Sequence, residues 1–328
     1  MSDAAAVLEL DAQYRAMREE AALLDRSERG KLIVGGQEAA EYLQGQLTND
    51  VDALSPERGC YAALLDRKGH LQGDMRVLRL STGELWLDTE PAATEAVRRH
   101  LDMYKVGREV EVRDESDGWA IVSVIGPRAA EVAGVQPPGE EHAQRHFERD
   151  GVEVLAVATD LGLDLITRAE RADRLRELLA GSGAAQVSAE AAEILRVESG
   201  RPRFGLDMGP ETMPAEAGIV ERAVDFEKGC YIGQEPVARL HYRGRPNRRL
   251  VGLELSAPAR GGEPLRLSER EVGTVGTACL SPALGPIALA VVRREAEVGE
   301  TLEVANGEAT AEVVELPFGT GSPSAPVG

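Results

Sequence analysis

Residue 248 divides this chain into two textures, and the second is the more restrictive. From there the sequence is a series of short apolar runs parted by glycine and polar residues, at 250–255, 264–267, 272–278, 287–292, 301–304 and 309–314. Each run has strand length, and no helical period links them. Such a series predicts a small antiparallel barrel or sandwich of about 70 residues. The expected organisation is an α+β body at 1–247, a β-barrel domain at 248–316 and a disordered tail at 317–328.

Ahead of residue 248, strands and helices interleave without the regular βα alternation of a doubly wound sheet, which makes the class α+β. Leu8, Leu10, Tyr14, Met17, Ala21 and Leu24 recur at helical spacing and predict a helix over 3–24. A strand at 31–34 and a helix at 38–46 follow. Residues 60–80 predict a β-hairpin turning at Asp66-Arg67-Lys68-Gly69. Its second strand places Gly73, Met75 and Val77 on one face and Gln72, Asp74 and Arg76 on the other. Asp74 is then either an exposed strand residue paired with Arg76 or a carboxylate aimed into a cleft.

Further strands are expected at 84–88, 109–113, 119–125, 152–158 and 161–167, and helices at 91–103, 169–180 and 189–198. The acidic stretch before residue 152 reads as a short helix followed by irregular chain. Residues 198–218 are rich in Gly and Pro, the texture of a functional loop or a domain seam. Glu198 stands at the C-terminal end of its helix, where the dipole disfavours a carboxylate. It is either a ligand-binding group or an ordinary exposed terminus.

Composition narrows the function. A net charge of −19 argues against broad, charge-driven contact with nucleic acid. The three cysteines are far apart, no CxxC occurs, and the five histidines do not cluster. No disulfide framework and no metal or cluster site held by this chain alone is expected. The N-terminus lacks a signal pattern and no apolar run approaches a membrane span, so the expected location is cytoplasmic.

Residues 228–250 stand apart. Lys228, Arg239, Arg243, Arg245, Arg248 and Arg249 face Glu235 alone, and Cys230 lies among them beside Gly229. A basic neighbourhood favours thiolate, so Cys230 is a candidate reactive cysteine. A small buried cysteine among solvated arginines is the plainer alternative.

The run KGCYIGQEPVAR, 228–239, is similar to the signature of the YgfZ family of folate-binding proteins, relatives of the glycine-cleavage T-protein, an aminomethyltransferase. QGQLTND (44–50), LLDRKGHLQGDMRV (64–77) and LRVESGRPRFGLDM (195–208) resemble further blocks of the same superfamily, in the same order. MPAEAG (213–218) is closer to the T-protein pattern.

The resemblance implies a folate cleft in a ring-like α+β body with a β-barrel domain beside it, and tetrahydrofolate or a derivative as cofactor. By position, Asp74 matches the acid near the reactive folate nitrogen and Glu198 the carboxylate that recognises the pterin. Asn49 and Asp50 match a cleft-lining block. Lys228, Cys230, Gln234, Glu235 and Arg239 match the YgfZ signature itself. The candidate catalytic set is Cys230, Asp74 and Lys228, with Lys228 tuning the thiol. The implied function is an accessory role in iron–sulfur cluster assembly or repair, with client iron–sulfur proteins that include tRNA-modifying enzymes. On that reading glycine cleavage is expected to be inefficient. The alternative is a folate-dependent aminomethyltransferase, whose chemistry needs no cysteine. A nucleic-acid-binding role for the basic stretch ranks last, because only Tyr231 and Tyr242 accompany its arginines.

Overall fold

The structure, a computed structural model, describes residues 3–319, with side chains described from Glu9 onward. In chain order it runs α1 (Asp3–Glu19), β1 (Ala22–Asp25), β2 (Gly30–Gly35), α2 (Ala39–Gln46), β3 (Arg58–Leu65), β4 (Leu71–Arg79) and β5 (Leu85–Thr89). There follow α3 (Pro91–Tyr104), β6 (Glu111–Asp114), β7 (Trp119–Ile125), α4 (Ala129–Ala133), β8 (Gln144–Arg149), β9 (Val152–Thr159) and β10 (Gly162–Arg168). Next are α5 (Ala172–Gly181), β11 (Ala185–Gln186), α6 (Ala189–Glu198), α7 (Val220–Ala223) and α8 (Gln234–Arg243). The last six strands are β12 (Arg248–Leu255), β13 (Pro264–Leu267), β14 (Arg270–Ser281), β15 (Gly285–Arg293), β16 (Thr301–Val304) and β17 (Ala309–Val314). The fold is a mixed α+β body followed by a closed antiparallel barrel.

Two compact units share these elements. One comprises Met1–Asp66, Gln72–Ala191 and Arg222–Ile232; the other Arg67–Leu71, Ala192–Glu221 and Gly233–Gly328. The first unit holds two sheets, ordered β3-β4-β5-β2-β6 and β11-β1-β7-β10-β9-β8. Ile33, Leu78 and Trp86 of the five-stranded sheet pack on Ile121, Leu155, Val157 and Ile166 of the six-stranded one. On its other face the six-stranded sheet buries Val122, Val154 and Leu165 against Val132 of α4 and Leu175 and Leu179 of α5.

Gly73 of β4 faces α3, where an added Cβ would lie 2.8 Å from Val97 and 2.9 Å from Ala93. Gly73→Ala is therefore expected to overpack this contact and cost about 1–3 kcal/mol, read as a lower urea midpoint. An unchanged midpoint would mean that α3 yields freely.

In the second unit the barrel closes in the order β12-β15-β14-β13-β16-β17. Strand alternation decides its two surfaces. Along β15, Ala288, Ala290 and Val292 point into the barrel core, while Ile287 and Leu289 join Val197 and Phe318 in a separate cluster. Phe318 is 4% exposed and its N–H donates to the Glu198 carbonyl, so the tail expected from 317 is packed at its start. Residues 320–328 of that expected tail lie outside the described residues.

Two sequence expectations change here. The helix expected over 3–24 stops at Glu19, because Ala22–Asp25 pairs with β7 and β11 and buries three of its four residues. Strand β8 forms where irregular chain was expected, as an edge strand paired along its length with β9. Among the described residues no helix is long and apolar enough to cross a membrane.

Candidate functional site

The first unit concentrates its polar chemistry on β3 and β4. Asp74 alternates with buried Gly73 and Met75 along β4, so its side chain leaves the strand on the opposite face. There the Tyr61 phenol, from β3, donates to Asp74 Oδ2 at 2.7 Å. The Arg222 guanidinium lies over the Tyr61 ring, 4.9 Å from its centroid. Asp74 Oδ1 is buried and has no hydrogen-bond partner among the described residues. Burial pushes the Asp74 carboxyl up, while the Tyr61 hydrogen bond and the Arg29 charge oppose the shift. Tyr61 itself is held well above the ordinary phenol range, first by burial and then by the Asp74 charge. The pair is thus a fixed donor and a carboxyl with one buried oxygen unpaired among the described residues.

Arg76 does not pair with Asp74. Its Nε donates to Asp88 Oδ2 at 2.8 Å and its Nη1 to Asp164 Oδ2 at 2.7 Å. Asp88 also accepts from Arg29 Nε at 2.9 Å, and Asp164 from the Ser123 hydroxyl. Asp88, Asp164 and Arg76 are 1%, 6% and 7% exposed. This buried ion cluster was not anticipated from the sequence. Its signal was present: Asp88 and Asp164 interrupt apolar strands, and Arg76 and Asp88 are cross-strand partners.

The remaining expected site residues divide between the units. Asn49 donates from Nδ2 to the Tyr61 and Arg222 carbonyls, and its Oδ1 accepts the Asp50 N–H. Asp50 Oδ1 accepts from Gln44 Nε2 and from the Ala53 N–H. Both residues therefore shape the 44–53 segment through these bonds.

Lys228 is 8% exposed, and its ammonium donates to the carbonyls of Gln44, Leu47 and Asn49. Three N–H bonds are met by three acceptors. None is left to donate to the Cys230 sulfur. Cys230 is the exposed cysteine, whereas Cys60 and Cys279 are half-buried and burial pushes both thiols up to about 12. Iodoacetamide at neutral pH is accordingly expected to label Cys230 first, mapped by mass spectrometry. Faster labelling of Cys279 would count against an accessible Cys230 loop.

In the second unit, Glu198 closes α6 at 6% exposure, and its Oε1 accepts from the Ser281 hydroxyl at 2.6 Å. It is not an exposed terminus. Gln234, Glu235 and Arg239 lie on α8, and Arg239 Nη2 meets Glu235 Oε1 at 2.8 Å with both side chains largely in solvent. Such an exposed i,i+4 pair contributes only about 0.3–0.5 kcal/mol.

A mixed α+β body followed in the chain by a closed six-stranded antiparallel barrel is the fold of a class of two-part proteins. The profile of the GCVT N-terminal domain matches residues 5–228, and that of the glycine cleavage T-protein C-terminal barrel domain matches 248–319. The chain belongs to the glycine cleavage T-protein family. It is 30% identical over 321 residues to an aminomethyltransferase of Rubrobacter xylanophilus, covering 94% of this chain and 86% of the relative. An aminomethyltransferase of Thermotoga petrophila is 31% identical over 330 residues, covering 94% and 89%. The crystal structure of glycine cleavage system aminomethyltransferase T from Bartonella henselae matches with a TM-score of 0.83 and 25% identity, over 94% of this chain and 89% of that one.

Proposed function

We propose that this chain binds a reduced folate at Asp74 and acts as a tetrahydrofolate-dependent one-carbon transferase of the aminomethyltransferase type. The observation that carries the reading is Asp74 Oδ1, buried without a partner beside an oxygen already fixed by Tyr61. A buried, unpaired carboxyl oxygen is costly unless a ligand N–H or O–H meets it, and a folate ring nitrogen fits that need. The names of the curated relatives support the same reading. Tetrahydrofolate, when bound, supplies the nitrogens that take up a one-carbon unit. Tyr61 orients the carboxyl by holding Oδ2, so that Oδ1 is the atom that accepts or returns a proton. Burial raises the carboxyl's proton affinity, which favours its holding a proton for transfer.

Mixing the protein with aminomethylated lipoyl carrier protein and tetrahydrofolate tests the proposal, with ammonia release as the expected result. In the second unit, Glu198 is a carboxylate suited to accept paired pterin N–H groups, with Oε1 held by the Ser281 hydroxyl. Glu198→Ala is expected to weaken tetrahydrofolate binding by about 1.5–3 kcal/mol in calorimetry. Equal affinities would remove Glu198 from the site.

The exposed Cys230 supports a second reading, the accessory role in iron–sulfur protein assembly or repair. Under it, ammonia release fails. Cys230→Ser then abolishes support of an iron–sulfur enzyme in a complemented strain, while folate affinity is kept.

A further inference from the structure

The Lys228 ammonium sits in a three-carbonyl socket, 2.8 Å from Gln44 O, 2.7 Å from Leu47 O and 2.7 Å from Asn49 O. Two of the three residues whose carbonyls form the socket sit against β3, Leu47 by a bridge to Leu64 and Asn49 through its side chain. Asn49 Nδ2 bonds the Tyr61 carbonyl at 2.8 Å and the Arg222 carbonyl at 3.1 Å. Thr48 N–H donates to Ala63 O, and Ala63 N–H returns a bond to the Thr48 hydroxyl. From the other side, Asp225 N–H donates to Thr48 O and Ile232 N–H to Gly45 O. Tyr61, on the strand so gripped, bonds Asp74.

We propose that Lys228 is a positioning residue, whose ammonium on the Gln44, Leu47 and Asn49 carbonyls holds the 44–50 segment against β3 and thereby fixes Tyr61 and the Asp74 carboxyl. The proposal rests on the assignment of Asp74 as the folate-facing group. It couples the KGCY run to the carboxylate through backbone, without contact between Lys228 and ligand.

Chemistry explains the residue type. Three convergent carbonyls need three diverging N–H donors on one atom, which an ammonium has and a planar guanidinium does not. Burial lowers the Lys228 ammonium to about 8, with the Asp50, Cys60, Asp225 and Asp52 groups opposing the shift. The Tyr231 ring lies 5.2 Å from Nζ. Above that pH a neutral amine retains two N–H donors, and one carbonyl loses its partner.

The test uses the full chain, with tetrahydrofolate affinity by calorimetry and, in free protein, the titration of the 13C-labelled Asp74 carboxyl. Lys228→Met and Lys228→Arg are both expected to weaken tetrahydrofolate binding roughly tenfold or more. Lys228→Ala leaves room for propylammonium, which is expected to restore binding there but not in Lys228→Met. In wild type, the Asp74 resonance should show a second inflection near pH 8, absent from Lys228→Met. That wild-type readout stands even if a variant fails to fold.

Wild-type affinity and an unchanged Asp74 titration in Lys228→Met would overturn the proposal, as would a single inflection in wild type. The two assignments fail differently. If Asp74→Asn binds tetrahydrofolate normally, the folate reading falls, while the Asp74 titration in free protein still judges Lys228.

Discussion

Asp74→Asn is expected to lower group transfer by about 10²–10⁴-fold, the range for loss of a positioned proton-transfer group. The amide has nearly the carboxyl's shape and can keep the Tyr61 contact at its oxygen. Its second position becomes an NH₂, which donates where Oδ1 accepted and cannot hold a proton for transfer. Binding and chemistry should therefore both suffer, because one atom serves both. Tyr61→Phe should cost less: Oδ2 loses its donor, but the carboxyl remains. Single-turnover rates with tetrahydrofolate in excess separate the two contributions. Wild-type turnover by a correctly folded Asp74→Asn protein would exclude Asp74 as the proton-handling group.

Arg76→Met should be among the most destabilising single changes in the first unit, by about 3–5 kcal/mol in guanidinium unfolding. It leaves Asp164 with Ser123 and Asp88 with Arg29, two buried carboxylates short of one cation. The double variant Arg76→Met with Asp164→Asn should recover part of the loss, since the uncompensated charge, more than the missing attraction, carries the cost. No recovery would show that Arg76 acts mainly by packing.

The same cluster sets an acid limit. Asp88 is held down at about 2 despite its burial, by the Arg76 and Arg29 charges and their hydrogen bonds. Its folded-state value lies below the unfolded one of about 3.9, so it adds stability above that pH. That stability is lost as pH falls through about 2. In Arg76→Met the loss should begin at higher pH.

What the sequence made legible was periodicity. All six barrel strands were read from apolar runs, because each has one face in a core and the alternation survives in the residues. The hairpin carrying Asp74 was read for the same reason, including which side chains share its faces. Strand β8 was not, since QRHFER buries only Gln144 fully and offers no alternation to find. The end of α1 was misplaced because Ala21 and Leu24 continue a helical period by coincidence, and pairing with β7 outweighs it. Asp74 and Glu198 were singled out from the sequence as candidates, and the structure buries Asp74 Oδ1 and leaves Glu198 6% exposed. The partners of Lys228 and Arg76 were not read, because Lys228 was assigned to the neighbouring thiol and Arg76, in one reading, to Asp74, and a cation's distant partners are hard to choose from sequence. Only three-dimensional closure supplies the carbonyls and carboxylates that take such a cation out of water.

The interleaving of the two units along the chain bears on how the protein is made. The segment Arg222–Ile232 belongs to the first unit, yet it leaves the ribosome after Ala192–Glu221, which belongs to the second. A nascent chain that stops short of residue 222 lacks the Ala223 and Arg222 carbonyls that Thr48 and Asn49 bond, and it lacks Lys228. Its 44–50 carbonyls are then without their cation while Ala192–Glu221 waits for strands not yet synthesised. Synthesis at roughly 5–20 residues per second makes that interval one of seconds. In those seconds the first unit has the bonds of Thr48, Asn49 and the 44–50 carbonyls still open. Arrest at residue 221 should give a protease-sensitive 44–50 segment, and release past residue 232 should protect it.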